Sequence, residues 1–114
     1  EETCTDGTPE TEPNNSTPDL LLEGIMCGVL RGGTADVDRF AFTNTTGATG
    51  QFFMQVQSVD VITITYSDGS NQITVPSTTN NIMGQLGNGQ TLTIQLFPAK
   101  AVTNNIPYRL IFTL

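Results

Sequence analysis

The chain has 114 residues, of which 13 % are charged, and a formal net charge of −7 at pH 7. This length predicts one domain with a single core. The acidity excludes the basic surface of a nucleic-acid-binding protein, and the absence of histidine excludes a nucleophile paired with a histidine base. The sequence contains no run of 18 apolar residues, which is the length that would predict a membrane span. The start "EETCT" is typical of a processed secreted protein.

The acidic residues are concentrated at the amino-terminal end. Residues 1–38 contain nine carboxylates and one arginine, whereas residues 39–114 have a net charge of +1. The stretch "ETEPNNSTPD" (10–19) has no apolar side chain to bury. We predict an acidic amino-terminal segment over residues 1–18 and a single sandwich domain over residues 19–114. The segment is either a cation-binding strap or a solvated linker, and concentrated charge fits the strap better.

The chain has two cysteines, Cys4 and Cys27. An even number in an extracellular-looking chain predicts a disulfide between them. The bond would hold the acidic segment against the domain, and the chain-entropy model gives about 3 kcal/mol for a loop of this length. The alternative is a buried thiol at Cys27 and an unrelated, exposed Cys4.

The rest of the chain has the pattern of short strands. "LLLEGIMCGVL" (20–30) predicts one or two buried strands, interrupted at Gly24 and Gly28. Alternation of apolar and polar residues then predicts strands at "RFAFT", "QFFMQVQ", "VITITYS", "TLTIQLF" and "YRLIFTL". Asp68-Gly69 and Asn88-Gly89 are turn sequences that tolerate positive φ. About eight short antiparallel strands at this spacing predict a β-sandwich.

Four short motifs occur in a recognisable order: "EPNNS" (12–16), "GVL" (28–30), "DVDRFAF" (36–42) and "YRLIF" (108–112). Together they resemble the bacterial pre-peptidase C-terminal domain family, small sandwiches attached to secreted peptidases. The resemblance covers about residues 10–114 and implies an all-β, antiparallel, jelly-roll-like β-sandwich of about eight short strands. Arg39 departs from the aromatic residue that the family often has at this position.

The resemblance also implies a calcium site, because the similar collagen-binding modules of clostridial collagenases bind calcium through such a segment. Carried over residue by residue, it implies these six ligands: Glu10, Glu12, Asn14, Asn15, Asp36 and Asp38. The first three of them project to one side of an extended segment, as do the two aspartates. Without a cation the two groups would repel each other, and calcium takes about six to eight oxygen ligands.

These observations predict a non-catalytic, secreted, calcium-binding module that binds an extracellular polymer or protein surface. Phe53, Tyr66 and Phe97 are the candidates for its binding face, with ordinary packing as the alternative for each. The second hypothesis is a structural subunit of an extracellular filament or cell-surface layer, which polymerises by adding its N-terminal segment to a neighbour's sheet edge. "NNST" (14–17) and "NTT" (44–46) match the pattern of N-glycosylation acceptors.

Overall fold

A computed structural model shows two five-stranded sheets, and their inner faces form the core. The structure describes residues 8–9, 19–20, 23–31, 36–58, 60–69, 71–79, 81–99 and 103–114. Over these ranges its strands are β1 (Thr8–Pro9), β2 (Asp19–Leu20), β3 (Gly24–Leu30), β4 (Asp38–Thr43), β5 (Gly50–Ser58), β6 (Ile62–Ser67), β7 (Gln72–Pro76), β8 (Ile82–Leu86), β9 (Thr91–Pro98) and β10 (Ile106–Thr113). The described part contains no helix that is long and apolar enough to cross a membrane.

The first sheet has the strand order β1-β3-β10-β5-β8 and the second the order β2-β4-β9-β6-β7. The eight longer strands pair antiparallel, which confirms the predicted sandwich. The two-residue strands β1 and β2 were not predicted, and they pair parallel to β3 and β4. Part of the predicted acidic segment therefore joins the first sheet at its edge.

The core lies between the sheets and follows the predicted alternation. In β5, Phe52, Met54 and Val56 are buried, whereas Phe53 and Gln55 are only half-buried. The same alternation holds along β4, β9 and β10 and through most of β6; the buried residues of these strands include Phe40, Ile62, Ile64, Leu92, Ile94, Leu96, Tyr108, Leu110 and Phe112. Since each strand places alternate side chains on opposite faces, one face of these strands meets the opposite sheet.

The glycines of the first long strand behave differently from each other. Gly24 has φ 106° and begins β3. The prediction of an interruption at Gly28 was wrong, because Gly28 lies within β3 and pairs with Tyr108 in β10. Glycine keeps both backbone hydrogen-bonding groups, so a paired glycine weakens a strand without ending it.

The two predicted turns connect different kinds of neighbours. Asp68-Gly69 closes the hairpin between β6 and β7, with Gly69 at φ 97°. Asn88-Gly89 carries Gly89 at φ 82° but leads from β8 in the first sheet to β9 in the second. Two similar turn sequences therefore have different roles: one connects neighbouring strands of a sheet, and the other connects strands of different sheets.

Candidate metal-binding site

The predicted aspartates lie at the start of β4 with their side chains turned to the same side. Asp38 is the first residue of the strand and is fully buried, and Asp36 is 5 % exposed. Val37, between them, is half-buried. Burial of two neighbouring carboxylates costs free energy unless hydrogen-bond donors or cations compensate for the lost hydration. This pair is therefore the candidate site in the sandwich.

Each carboxylate accepts a hydrogen bond from the surrounding framework. The Tyr108 hydroxyl donates to Asp38 Oδ2 at 2.6 Å. Tyr108 belongs to the first sheet and Asp38 to the second, so this bond crosses the interior of the sandwich. The Arg31 backbone N–H, directly after β3, donates to Asp36 Oδ2 at 2.8 Å. Donors on or directly after two strands of the first sheet, β10 and β3, therefore fix the positions of these oxygens.

Two described parts of the amino-terminal chain, β1 and β2, pair with different sheets. Pro9 in β1 lies opposite Cys27 of the first sheet, and Asp19 in β2 lies opposite Phe40 of the second. Residues 10–18 therefore connect the edges of the two sheets. Phe40 is only two residues beyond Asp38 along β4, and an extended connection of this length reaches about 30 Å. The connection is long enough to pass Asp38.

The four remaining predicted ligands all belong to this connection and lie outside the described residues: Glu10, Glu12, Asn14 and Asn15. Within the described ranges, no group of three or more His, Cys, Asp or Glu side chains could hold a metal ion. Asp36 and Asp38 have the oxygen chemistry that calcium prefers, but two carboxylates are fewer than its about six to eight ligands. A complete calcium site at this point would need further oxygen ligands, and the involvement of the four residues of the connection stays a prediction.

Cys27 is buried on β3, the strand that β1 joins, and lies opposite Pro9. It is disulfide-bonded. Its predicted partner, Cys4, lies outside the described residues, so the Cys4–Cys27 pairing stays a prediction.

The three aromatic candidates for a binding face lie in different environments. Phe53 is on the outer face of the first sheet, beside Met83 of β8, and Phe97 is on the outer face of the second sheet. Tyr66 faces inward and makes an edge contact with Phe52, with ring centroids 6.1 Å apart. Burial raises the pKa of Tyr66 above its ordinary value. The three side chains therefore do not share one face.

The second glycosylation pattern falls on a residue that the fold buries completely. Asn44 Nδ2 donates to Leu86 O at 2.8 Å and to Ala48 O at 2.9 Å. Its Oδ1 accepts from the Thr46 N–H at 3.0 Å. Asn44 thus ties the loop after β4 to the end of β8, and in the folded chain its amide does not face solvent. The first pattern, "NNST", lies outside the described residues.

Sequence reasoning missed the role of Tyr108 as the donor to Asp38. Alternation in "YRLIFTL" puts Tyr108 on the same face as Leu110 and Phe112, and the structure buries this face. A buried tyrosine hydroxyl usually finds a hydrogen-bond partner, and Asp38 alternates with the inward-facing Phe40. These two facts together could have indicated the pair, although the partner is 70 residues away in the chain.

No protein-family model and no curated protein matches the sequence. Among solved structures, the chain is similar to the pre-peptidase C-terminal domain of collagenase from Bacillus anthracis. The TM-score is 0.60 at 15 % sequence identity, and the match covers 88 % of this chain and 100 % of that one. The resemblance drawn from the sequence motifs is thus confirmed at the level of the fold: this chain has a β-sandwich fold similar to that of the pre-peptidase C-terminal domain.

Proposed function

We propose that this chain is a non-catalytic, secreted, calcium-binding module that binds an extracellular polymer or protein surface. The observation that carries the proposal is the buried pair Asp36 and Asp38, the second of which begins the strand that β2 joins. Two neighbouring carboxylates repel each other and lose hydration on burial. A divalent cation offsets both costs.

In this proposal the sandwich and the connection each supply part of the ligand set. Asp36 and Asp38 supply carboxylate oxygens that the Arg31 and Tyr108 hydrogen bonds hold in place. The connection supplies the others, from Glu10, Glu12, Asn14 and Asn15. An all-oxygen set in a chain without histidine favours calcium over transition metals. The strands on either side of the connection, β1 and β2, are paired with β3 and β4. A bound ion would therefore attach the connection to the sandwich between these two paired strands.

The non-catalytic part of the proposal rests on the residues available for chemistry. The chain has no histidine, and the two buried aspartates are engaged by framework donors. The similar solved structure is named as a domain of a collagenase. That name supports a secreted setting and a protein polymer as the class of target. Phe53 and the 55 %-exposed Met83, neighbours on the outer face of the first sheet, are the first residues to test for contact.

A thermal melt of the metal-stripped protein with calcium and with chelator tests the calcium site. A ligand that binds only the folded state at about 100 times its dissociation constant stabilises it by about 2.7 kcal/mol. For a domain of this size that is a rise of about 10 °C in Tm. Asp36→Asn should reduce the rise strongly, whereas Asp60→Asn, the same change at an exposed position, should leave it intact. Overlapping curves for the unmodified protein would remove the calcium proposal.

We do not advance the filament hypothesis as a second function. In the structure, Thr8–Pro9 adds to the sheet edge of its own chain, so this part of the segment is already paired. Particle mass separates the two functions, because a filament subunit that exchanges its N-terminal segment assembles into large particles and an accessory module does not.

A further inference from the structure

β7 is the outer edge of the second sheet, and the hydrogen bonds next to it fix the direction of its peptide groups. The Ser77 N–H donates to Ile62 O at 2.7 Å. Hydrogen-bonded pairs alternate along an antiparallel ladder, and the register continues without a break. Val75 and Ile73 therefore hold the next two hydrogen-bonded positions and direct their peptide groups toward β6.

The intervening residues of β7 direct their peptide groups away from β6. Gln72 and Thr74 each offer an N–H and a C=O on this open side, and Pro76 offers only a C=O. Proline is tolerated on an edge strand where its missing N–H would have faced outward. The open side of β7 is thus a short template for one more antiparallel strand.

The side chains next to this template are apolar and incompletely covered. Ile73 faces the same side as the core residue Ile64 but is 44 % exposed. Val75, two residues on, packs against the core and is half-buried. Sheet edges are usually protected by charge or by a central proline. Residues 72–76 carry no charge, and their proline is at the end of the strand.

The charge distribution favours a second copy of this chain as the occupant. Residues 1–38 have a net charge of −8 and residues 39–114 of +1. In the first sheet β1 is at the edge opposite to β8, and in the second sheet β2 is at the edge opposite to β7. Two copies that meet through β7 therefore keep β1 and β2, which belong to the acidic part of the sequence, at the far ends of the pair. An uncharged strand also imposes no like-charge repulsion on itself across a two-fold axis.

We propose that β7 pairs antiparallel with β7 of a second copy about a two-fold axis at Thr74, which joins two five-stranded sheets into one. The two Thr74 residues exchange both backbone hydrogen bonds. Each Gln72 N–H donates to Pro76 O of the other copy; that oxygen also accepts from the Thr79 N–H at 3.0 Å and has a second lone pair. Ile73 meets Val75 of the other copy and is covered. This pairing goes beyond the proposed function and needs no calcium.

The association is weak and reversible. Stable interfaces bury about 1,600 Å² in total, and one five-residue strand with its flank provides much less. The dimer is therefore to be sought by sedimentation velocity at protein concentrations approaching about 1 mM, where interactions of about 4 kcal/mol become visible.

Disulfide trapping tests the register. In the proposed pair the Thr74 Cα atoms are about 5.5 Å apart, within the range of a disulfide. The two Gln72 residues are offset by four positions, about 14 Å, which is beyond that range. Under mild oxidation Thr74→Cys should give a covalent dimer, and Gln72→Cys, its equally exposed neighbour, should not. Equal trapping of both variants would overturn the register.

A charged side chain next to the open side of β7 tests whether this edge forms the dimer contact. Ile73→Lys places an ammonium between the two copies and should abolish the dimer. Met83→Lys, the same charge at an exposed position of β8 in the other sheet, should not affect it. Each variant must first show a melting curve close to that of the unmodified protein. A monomer at about 1 mM, or a dimer that persists in Ile73→Lys, would overturn the proposal.

Discussion

Removal of a single oxygen atom tests whether the bond between the sheets stabilises the fold. Tyr108→Phe keeps the ring in the core but deletes the hydroxyl that donates to Asp38 Oδ2 at 2.6 Å. Tyr108 is 3 % exposed and Asp38 fully buried, so water does not readily replace the lost donor. A hydrogen bond to a charged group contributes about 1.5–3 kcal/mol. We therefore expect the free energy of unfolding to fall by about 2 kcal/mol and Tm by about 8 °C.

The measurement is chemical and thermal unfolding of the calcium-free protein, followed by circular dichroism. The chain has two tyrosines, and the other provides a matched control. Tyr66 is half-buried at the end of the core, so Tyr66→Phe should change the free energy of unfolding by no more than about 0.5 kcal/mol. If both variants lose the same stability, or Tyr108→Phe loses none, the reasoning about the buried carboxylate is refuted.

Two further substitutions test a buried polar contact and a close approach between neighbouring strands. Asn44→Ala should lower the free energy of unfolding by about 3 kcal/mol, because it deletes the donors and acceptor that join two loops inside the fold; its exposed neighbour Thr45→Ala should cost less than about 0.5 kcal/mol. Gly84→Ala should cost about 1–3 kcal/mol by denaturant titration, because its Cβ would lie 2.7 Å from Phe52 Cζ. Gln85→Ala is the control and should leave the stability unchanged. If Gly84→Ala also has wild-type stability, the Phe52 ring can move away from the added methyl group and the prediction is wrong.

Six of the eight long strands could be located from the sequence because alternation and apolar runs are local properties, whereas β7 and β8 were not located. Phe52, Met54 and Val56 must lie on one face of an extended chain, whatever the strand pairs with. The antiparallel sandwich followed from the number of such strands and the turns between them. The motif order also pointed to the correct fold, and it placed Asp36 and Asp38 next to each other at the start of a strand. These are the features that short-range geometry determines.

The sequence could not determine which strands meet across the core. The hydroxyl of Tyr108 finds Asp38 only because β10 and β4 belong to facing sheets, and Asn44 is buried only because β8 ends beside its loop. The open edge at β7 likewise exists because four strands precede it in the sheet order and, among the residues that the structure describes, no strand follows it. Composition, alternation and turn chemistry thus determined the class of fold, since they depend on neighbours in the chain. Buried polar contacts and exposed edges depend on neighbours in space, so only the tertiary structure decided them.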